Sequence, residues 1–164
     1  MKRKLGIVLT ACALAAGTQV VLTAQPSSAA VGHMIRNHAT GKCLQGTDNG
    51  TTYAHAVKMV PCNRSNSSIW WGASAGRIEM VRDGRYNSQI CLSIPKSPKG
   101  DFPHDVDTTV CGNTAYNQVF SFGVASNYPI GSPEPCYVGH YAAGDSWASC
   151  YVNSGSNTRW DWIS

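Results

Sequence analysis

Six of the seven cysteines, Cys43, Cys62, Cys91, Cys111, Cys136 and Cys150, are separated by gaps of 19, 29, 20, 25 and 14 residues. The gaps alternate short and long, which divides the chain into three units, each with a first and a second cysteine. An even set in a chain routed out of the cytosol points to disulfides before metal ligation or catalysis. If pairing is local, the bridges are Cys43 to Cys62, Cys91 to Cys111 and Cys136 to Cys150. Each such loop contributes about 3 kcal/mol in the chain-entropy account.

The routing is read from residues 1–30. Lys2, Arg3 and Lys4 precede an apolar run from Leu5 to Ala16, and Ser28-Ala29-Ala30 offers small residues for cleavage, which together read as a secretory signal of bacterial type. Leu9-Thr10-Ala11-Cys12 resembles a lipobox, but the apolar stretch runs on to Val21 and Leu22, so Cys12 is read as part of the leader. The expected mature chain is 31–164, secreted and extracellular, and it contains no membrane span. Three of the 13 basic residues leave with the leader and none of the nine acidic ones does, so a net charge of +4 falls to +1. Nucleic acid binding requires a basic stripe, which this near-neutral chain lacks.

Each unit closes on an aromatic: Trp70 after Ser67-Ser68-Ile69, Phe120 after Asn117-Gln118-Val119, and Trp160 after Asn157-Thr158-Arg159. These are expected to pack in the core, one per unit. Short apolar stretches are broken by Gly, Asn, Ser and Pro, as in His38-Ala39-Thr40-Gly41-Lys42 and Arg82-Asp83-Gly84-Arg85, and no window carries a helical stripe. The expected fold is all-β. Units of this size bury no core alone, whereas three closing on one another do.

Ile35-Arg36-Asn37-His38-Ala39-Thr40-Gly41-Lys42-Cys43-Leu44, followed by Pro61-Cys62-Asn63 and Trp70, closely resembles the first repeat of ricin-type lectin domains. Asn117-Gln118-Val119-Phe120 is similar to that family's Q-x-W signature. The resemblance spans about 34–164 and weakens toward the third repeat. It implies a β-trefoil of three imperfect repeats, about 34–77, 78–122 and 123–164, with one disulfide per repeat.

The resemblance also implies sugar binding in shallow pockets. The family places an Asp just after Cys-Leu, an aromatic platform just before the second Cys, and an Asn before the Gln of Q-x-W. The first repeat departs at all three positions, with Gln45, Val60 and Ser67. The second has Ser93 and Thr109 but keeps Asn117 and Gln118. The third has Val138 at the Asp position, Trp147 one residue from the expected platform, and Asn157 kept. Alternation along a strand would set Asp145 and Trp147 on one face, so Asp145, Trp147 and Asn157, with Asn117 and Gln118, are the candidate ligand-binding residues.

Other motifs read as structure. Gly72-Ala73-Ser74-Ala75-Gly76 matches a nucleophile elbow but lacks a βαβ context, so a turn between repeats is expected. His104-Asp105-Val106-Asp107 offers metal-type donors, but no metal or other cofactor is expected, and His33, His38, His55 and His140 show no ligand spacing. Asn49-Gly50-Thr51, Asn63-Arg64-Ser65 and Asn66-Ser67-Ser68 are glycosylation sequons. Insertions at 95–106 and 125–135 are candidate binding loops. The mature chain has no room for a separate catalytic domain, so the expected function is non-catalytic binding, of a carbohydrate or of a secreted protein. The second case is an adaptor subunit of a hetero-oligomeric, toxin-like complex.

Overall fold

The computed structural model describes residues 32–47, 54–82, 85–96, 103–133, 135–142 and 144–164. The leader with Cys12, the sequon Asn49-Gly50-Thr51 and residues 97–102 of the second-repeat insertion lie outside them. Fourteen strands form in order: β1 His33–Asn37, β2 Lys42–Gln45, β3 His55–Ala56, β4 Lys58–Pro61, β5 Trp70–Ser74, β6 Arg77–Arg82, β7 Arg85–Pro95, β8 His104–Asp105, β9 Asp107–Val110, β10 Tyr116–Asn117, β11 Tyr128–Gly131, β12 Tyr137–Gly139, β13 Ser149–Tyr151 and β14 Arg159–Ile163. Among the described residues the helical content is two 3-10 turns, Ser67–Ile69 and Ser156–Thr158. The chain is all-β.

One ring of pairing runs β6, β5, β1, β14, β11. It closes through Ser121, which exchanges backbone hydrogen bonds with Gly131, and Phe120, whose N–H donates to Gly76 O at 2.8 Å. Closure removes sheet edges. Three hairpins, β2 with β4, β7 with β9 and β12 with β13, stand on this barrel. They meet around one axis: Val57 N–H donates to Val106 O at 2.8 Å, and Ala148 N–H donates to Val57 O at 2.9 Å. All three side chains are buried. This is a β-trefoil of three imperfect repeats.

The threefold register is legible in the core. Ile35, Ile78 and Ile130 occupy matching positions on the first strands, and Leu44, Leu92 and Val138 on the second, all in one buried cluster. Trp71 Nε1 donates to Leu44 O at 3.0 Å, and Trp160 Nε1 donates to Val138 O at 2.8 Å. The core aromatics are therefore Trp71, Phe120 and Trp160, which corrects the sequence reading of Trp70. A one-residue step along a strand reverses the face, and Trp70 falls half-buried in a smaller cluster with Met34, Cys43 and Ile69.

Three local disulfides are present, Cys43–Cys62, Cys91–Cys111 and Cys136–Cys150. The third occupies a different place in its repeat. Leu44 pairs with Met59 and Leu92 with Thr108, while Val138 pairs with Cys150. Cys150 thus stands level with core-facing Met59 and Thr108, and the bridge to Cys136 lies inside the main core. That displacement is the physical source of the 14-residue gap.

The apparent elbow at 72–76 is a hairpin turn. Ser74 pairs with Arg77, and Ala75 and Gly76 adopt φ of 48° and 77°, the left-handed pair that a two-residue turn requires. Residues 125–135 are also more than a loop, because they contain β11, which pairs with β12 and β14.

Replacing Trp71 with Ala is expected to cost about 3–5 kcal/mol, and Trp70→Ala clearly less; chemical denaturation monitored by far-UV circular dichroism measures both. Equal losses would contradict the register.

Candidate functional site

Strand pairing, rather than distance from a cysteine, decides which residues stand at the pocket positions that the ricin-type resemblance implies. Gln45 and Ser93 follow Leu44 and Leu92, and the residue that follows Val138 is Gly139. Val60 pairs with Cys43 and Thr109 with Cys91, and the matching pair in the third repeat is Tyr137 with Tyr151. Tyr151 therefore stands at the platform position that sequence spacing gave to the neighbourhood of Trp147. Gly46 N–H donates to Ser68 O as His140 N–H donates to Asn157 O, so Asn157 holds the Asn position and its first-repeat counterpart is Ser68, not Ser67.

Tyr151 lies over Gly139. A Cβ at Gly139 would stand 2.8 Å from the Tyr151 ring, 2.9 Å from Thr158 and 3.0 Å from Asn157 O, so only glycine admits the ring there. Tyr141, 74% exposed, stacks on Tyr151 with centroids 6.4 Å apart and planes 27° apart. Burial raises the Tyr151 phenol above its usual range, and Asp145 adds to the shift, which places the Asp145 carboxylate within electrostatic reach. The third repeat thus presents two stacked rings, with the Asp145 charge acting on the inner one.

Asp145 does not lie on a strand with Trp147. It closes a turn, its backbone N–H donating to Ala142 O at 3.0 Å and its carboxylate accepting from Ala142 N–H at 3.2 Å. Trp147 bridges to Lys58 of the first repeat, whose Nζ sits 5.5 Å from the centre of the indole. Trp147 is thereby turned toward the first repeat, while Asp145 stays with the tyrosines.

A buried histidine fixes this turn. His140 is fully buried, and Asp145 O can only accept, so His140 Nε2–H donates to it at 3.0 Å. Its Nδ1 then accepts from the Thr40 hydroxyl at 2.7 Å. Burial lowers the His140 pKa, which keeps the ring in the neutral form this pattern uses. Asn37 Nδ2 donates to Asn157 O at 2.7 Å, and Lys42 Nζ donates to Asp145 O at 3.0 Å. The first repeat therefore holds both edges of the third-repeat surface.

The second-repeat residues divide. Gln118 is buried and braces its own hairpin: Nε2 donates to Ser93 Oγ at 3.0 Å and Val110 O at 2.9 Å, and Oε1 accepts from Gly112 N–H at 2.6 Å. Its amide serves the fold. Asn117 is half-buried at the wall of a surface cleft. Neither residue joins the third-repeat group.

The histidine-aspartate motif lies against the threefold axis. Burial, then Asp105, raise the Asp107 carboxyl to about 6, with His55 opposing. Among the described residues the one group of three metal-type donors is Glu79 with Cys91 and Cys111, and those two sulfurs are already joined in a disulfide.

Segment 125–127 is anchored by Asp161, which is 3% exposed. It accepts from Ser126 Oγ at 2.7 Å, Asn127 N–H at 2.9 Å and Arg36 at 3.0 Å, with His38 Nδ1 at 3.3 Å. Burial alone would raise this carboxyl, but these partners outweigh it and hold it well below the usual carboxylate range.

No family model matches the sequence and no curated protein matches it. Solved structures define the class by fold: the chain is a β-trefoil. The solution structure of the mdaA-1 domain matches with a TM-score of 0.59 at 12% identity over 82% of this chain and 90% of that one. The designed 3-fold symmetric protein ThreeFoil matches with a TM-score of 0.57 at 14% identity, over 81% and 98%. The hemolytic lectin CEL-III matches with a TM-score of 0.59 at 16% identity, over 83% of this chain and 31% of that one.

Two carboxylates give opposite pH dependences. Asp161 is depressed in the fold, so its contribution is present above about pH 4 and is lost as pH falls further. Asp161→Asn is expected to cost about 1.5–3 kcal/mol at pH 7, with the deficit shrinking at acid pH. Asp107 is raised, so the folded state binds more protons and stability falls as pH rises between about 4 and 6. Asp107→Asn should therefore raise the melting temperature at pH 8, with no gain near pH 4. Calorimetry across pH reads both, and a shared sign would contradict these assignments.

Proposed function

We propose that this chain is a secreted, non-catalytic carbohydrate-binding module whose sugar site is the Tyr141–Tyr151 surface of the third repeat. The observation that carries the reading is Tyr151 at the platform position with Asn157 at the amide position and Asp145 beside it. A sugar ring has an apolar face that packs on an aromatic and hydroxyls that need a carboxylate and an amide. Tyr141 is 74% exposed, so contacts there are weak, and tight binding would require repeated display. The lectin-like fold of the structural neighbours supports a carbohydrate-binding module in general. The three disulfides support an oxidising compartment, in keeping with residues 1–30 as an export signal.

The protein-docking alternative draws on a different observation. The first repeat has Gln45, Val60 and Ser68 at its pocket positions, with neither ring nor carboxylate, and Trp147 is 49% exposed beside it. In that reading the chain is an adaptor subunit, and loss of the tyrosines leaves its partner bound.

A glycan array followed by titration calorimetry separates the two. Tyr151→Ala and Tyr141→Ala should each weaken the best glycan by about tenfold or more, roughly 1.4 kcal/mol, while Trp147→Ala changes it little. The exposed Tyr141 variant guards against a folding artefact at Tyr151. Absence of any glycan signal, with a stoichiometric protein co-purifying from culture fluid, would sink the sugar reading in favour of the adaptor.

A further inference from the structure

A cleft of about 330 Å³ opens on the second repeat, at the lower end of the roughly 300–1,000 Å³ that small-ligand sites span. Arg77 enters it from the start of β6 and Lys96 from just beyond β7, while Asn113, Tyr116, Asn117 and Val119 come from the segment that follows β9. Asn117 and Gln118 line it but Ser93 and Thr109 do not, so it shares one wall with the pocket that the ricin-type resemblance implies for this repeat and extends from there to Arg77 and Lys96.

Its charge is one-sided. No Asp or Glu stands among its described lining residues, and among the described residues neither Arg77 nor Lys96 has an ion-pair partner. The carboxyl that feels Arg77 is Glu79, two residues along the same strand and buried, and burial raises its pKa despite Arg77. Two cations in a concave surface focus their field on an anion. The guanidinium fork matches a planar carboxylate, and the ammonium adds a point charge.

The rest of the wall is fixed and mixed in character. Asn113 Nδ2 donates to Thr109 Oγ1 at 3.2 Å and its Oδ1 accepts from Ala115 N–H at 3.1 Å, which holds the turn. Tyr116 is half-buried, its phenol raised by burial and by Asp107, and Val119 is 52% exposed beside it. A ligand for this cleft therefore carries an anionic group, an apolar face and further hydroxyls.

We propose that the second-repeat cleft binds a carboxylated sugar, with its carboxylate between Arg77 and Lys96 and its ring against Tyr116 and Val119. The ligand's being a sugar rests on the carbohydrate-binding reading above; the demand for an anion does not. The test is calorimetric titration of the full mature chain with a galacturonic acid oligomer and, separately, the neutral galactose oligomer. The acidic oligomer should bind the wild type with an affinity that falls as salt rises. The double substitution Arg77→Gln with Lys96→Gln should weaken it tenfold or more and flatten the salt dependence, with an unchanged melting temperature. Tyr151→Ala should leave it intact. Wild-type affinity in the Arg77→Gln, Lys96→Gln protein, or loss of acidic-oligomer binding on Tyr151→Ala, would overturn the cleft assignment alone. No binding of the acidic oligomer to the wild type, while glycans still require Tyr151, would overturn it too; no binding of any glycan would overturn both readings.

Discussion

Around one axis, the backbone at Val57 hydrogen-bonds to Val106 of the second repeat and to Ala148 of the third, and the three hairpins are positioned by that junction. Each repeat brings one short segment there, too short to be a sheet alone. Because each segment needs its neighbours to satisfy buried polar groups, no repeat can complete itself. The matched isoleucines, the Leu44, Leu92 and Val138 set and the three core aromatics then fill the space beneath. The disulfides clip hairpins whose direction the junction has already set.

The third repeat shows how much freedom this arrangement leaves. Its disulfide lies at the level of Met59 and Thr108, and the position that buried Cys43 and Cys91 occupy in the other repeats is held by half-buried Tyr137. Tyr151 then fell at the platform position, and Gly139 made room for its ring. A change made inside the core thus created an aromatic surface outside it. The first repeat, through Asn37, Thr40 and Lys42, holds the edges of that surface. The shape of that surface therefore depends on an intact interface with the first repeat.

Much of the fold could be read from the chain because the signals were local. Alternating cysteine gaps gave three units, and local pairing gave the bridges. Turn residues at 38–42 and 72–76 marked hairpins. What failed was counting by one. Trp70 and Trp71 are adjacent and chemically alike, so the sequence offers no means to tell which faces the core; only the pairing of β5 with β1 and β6 does. Val138 was placed by counting from Cys136, a cysteine that had shifted relative to the barrel. Asp145 was read as strand, but its carboxylate closes a turn, and strand alternation does not apply there. Gly139 beside Val138 and Tyr151 just after Cys150 were the available clues to the platform. They become meaningful only once the register is known.

The sequence by itself determined the class: an all-β chain of three disulfide-clipped units. Those properties reside in composition and in spacing along one dimension. The tertiary structure decided which face each side chain shows and which repeats supply each surface. A strand reverses its faces every residue, and the partners of a site lie as far apart as Thr40 and His140. Only the closed barrel fixes those two things.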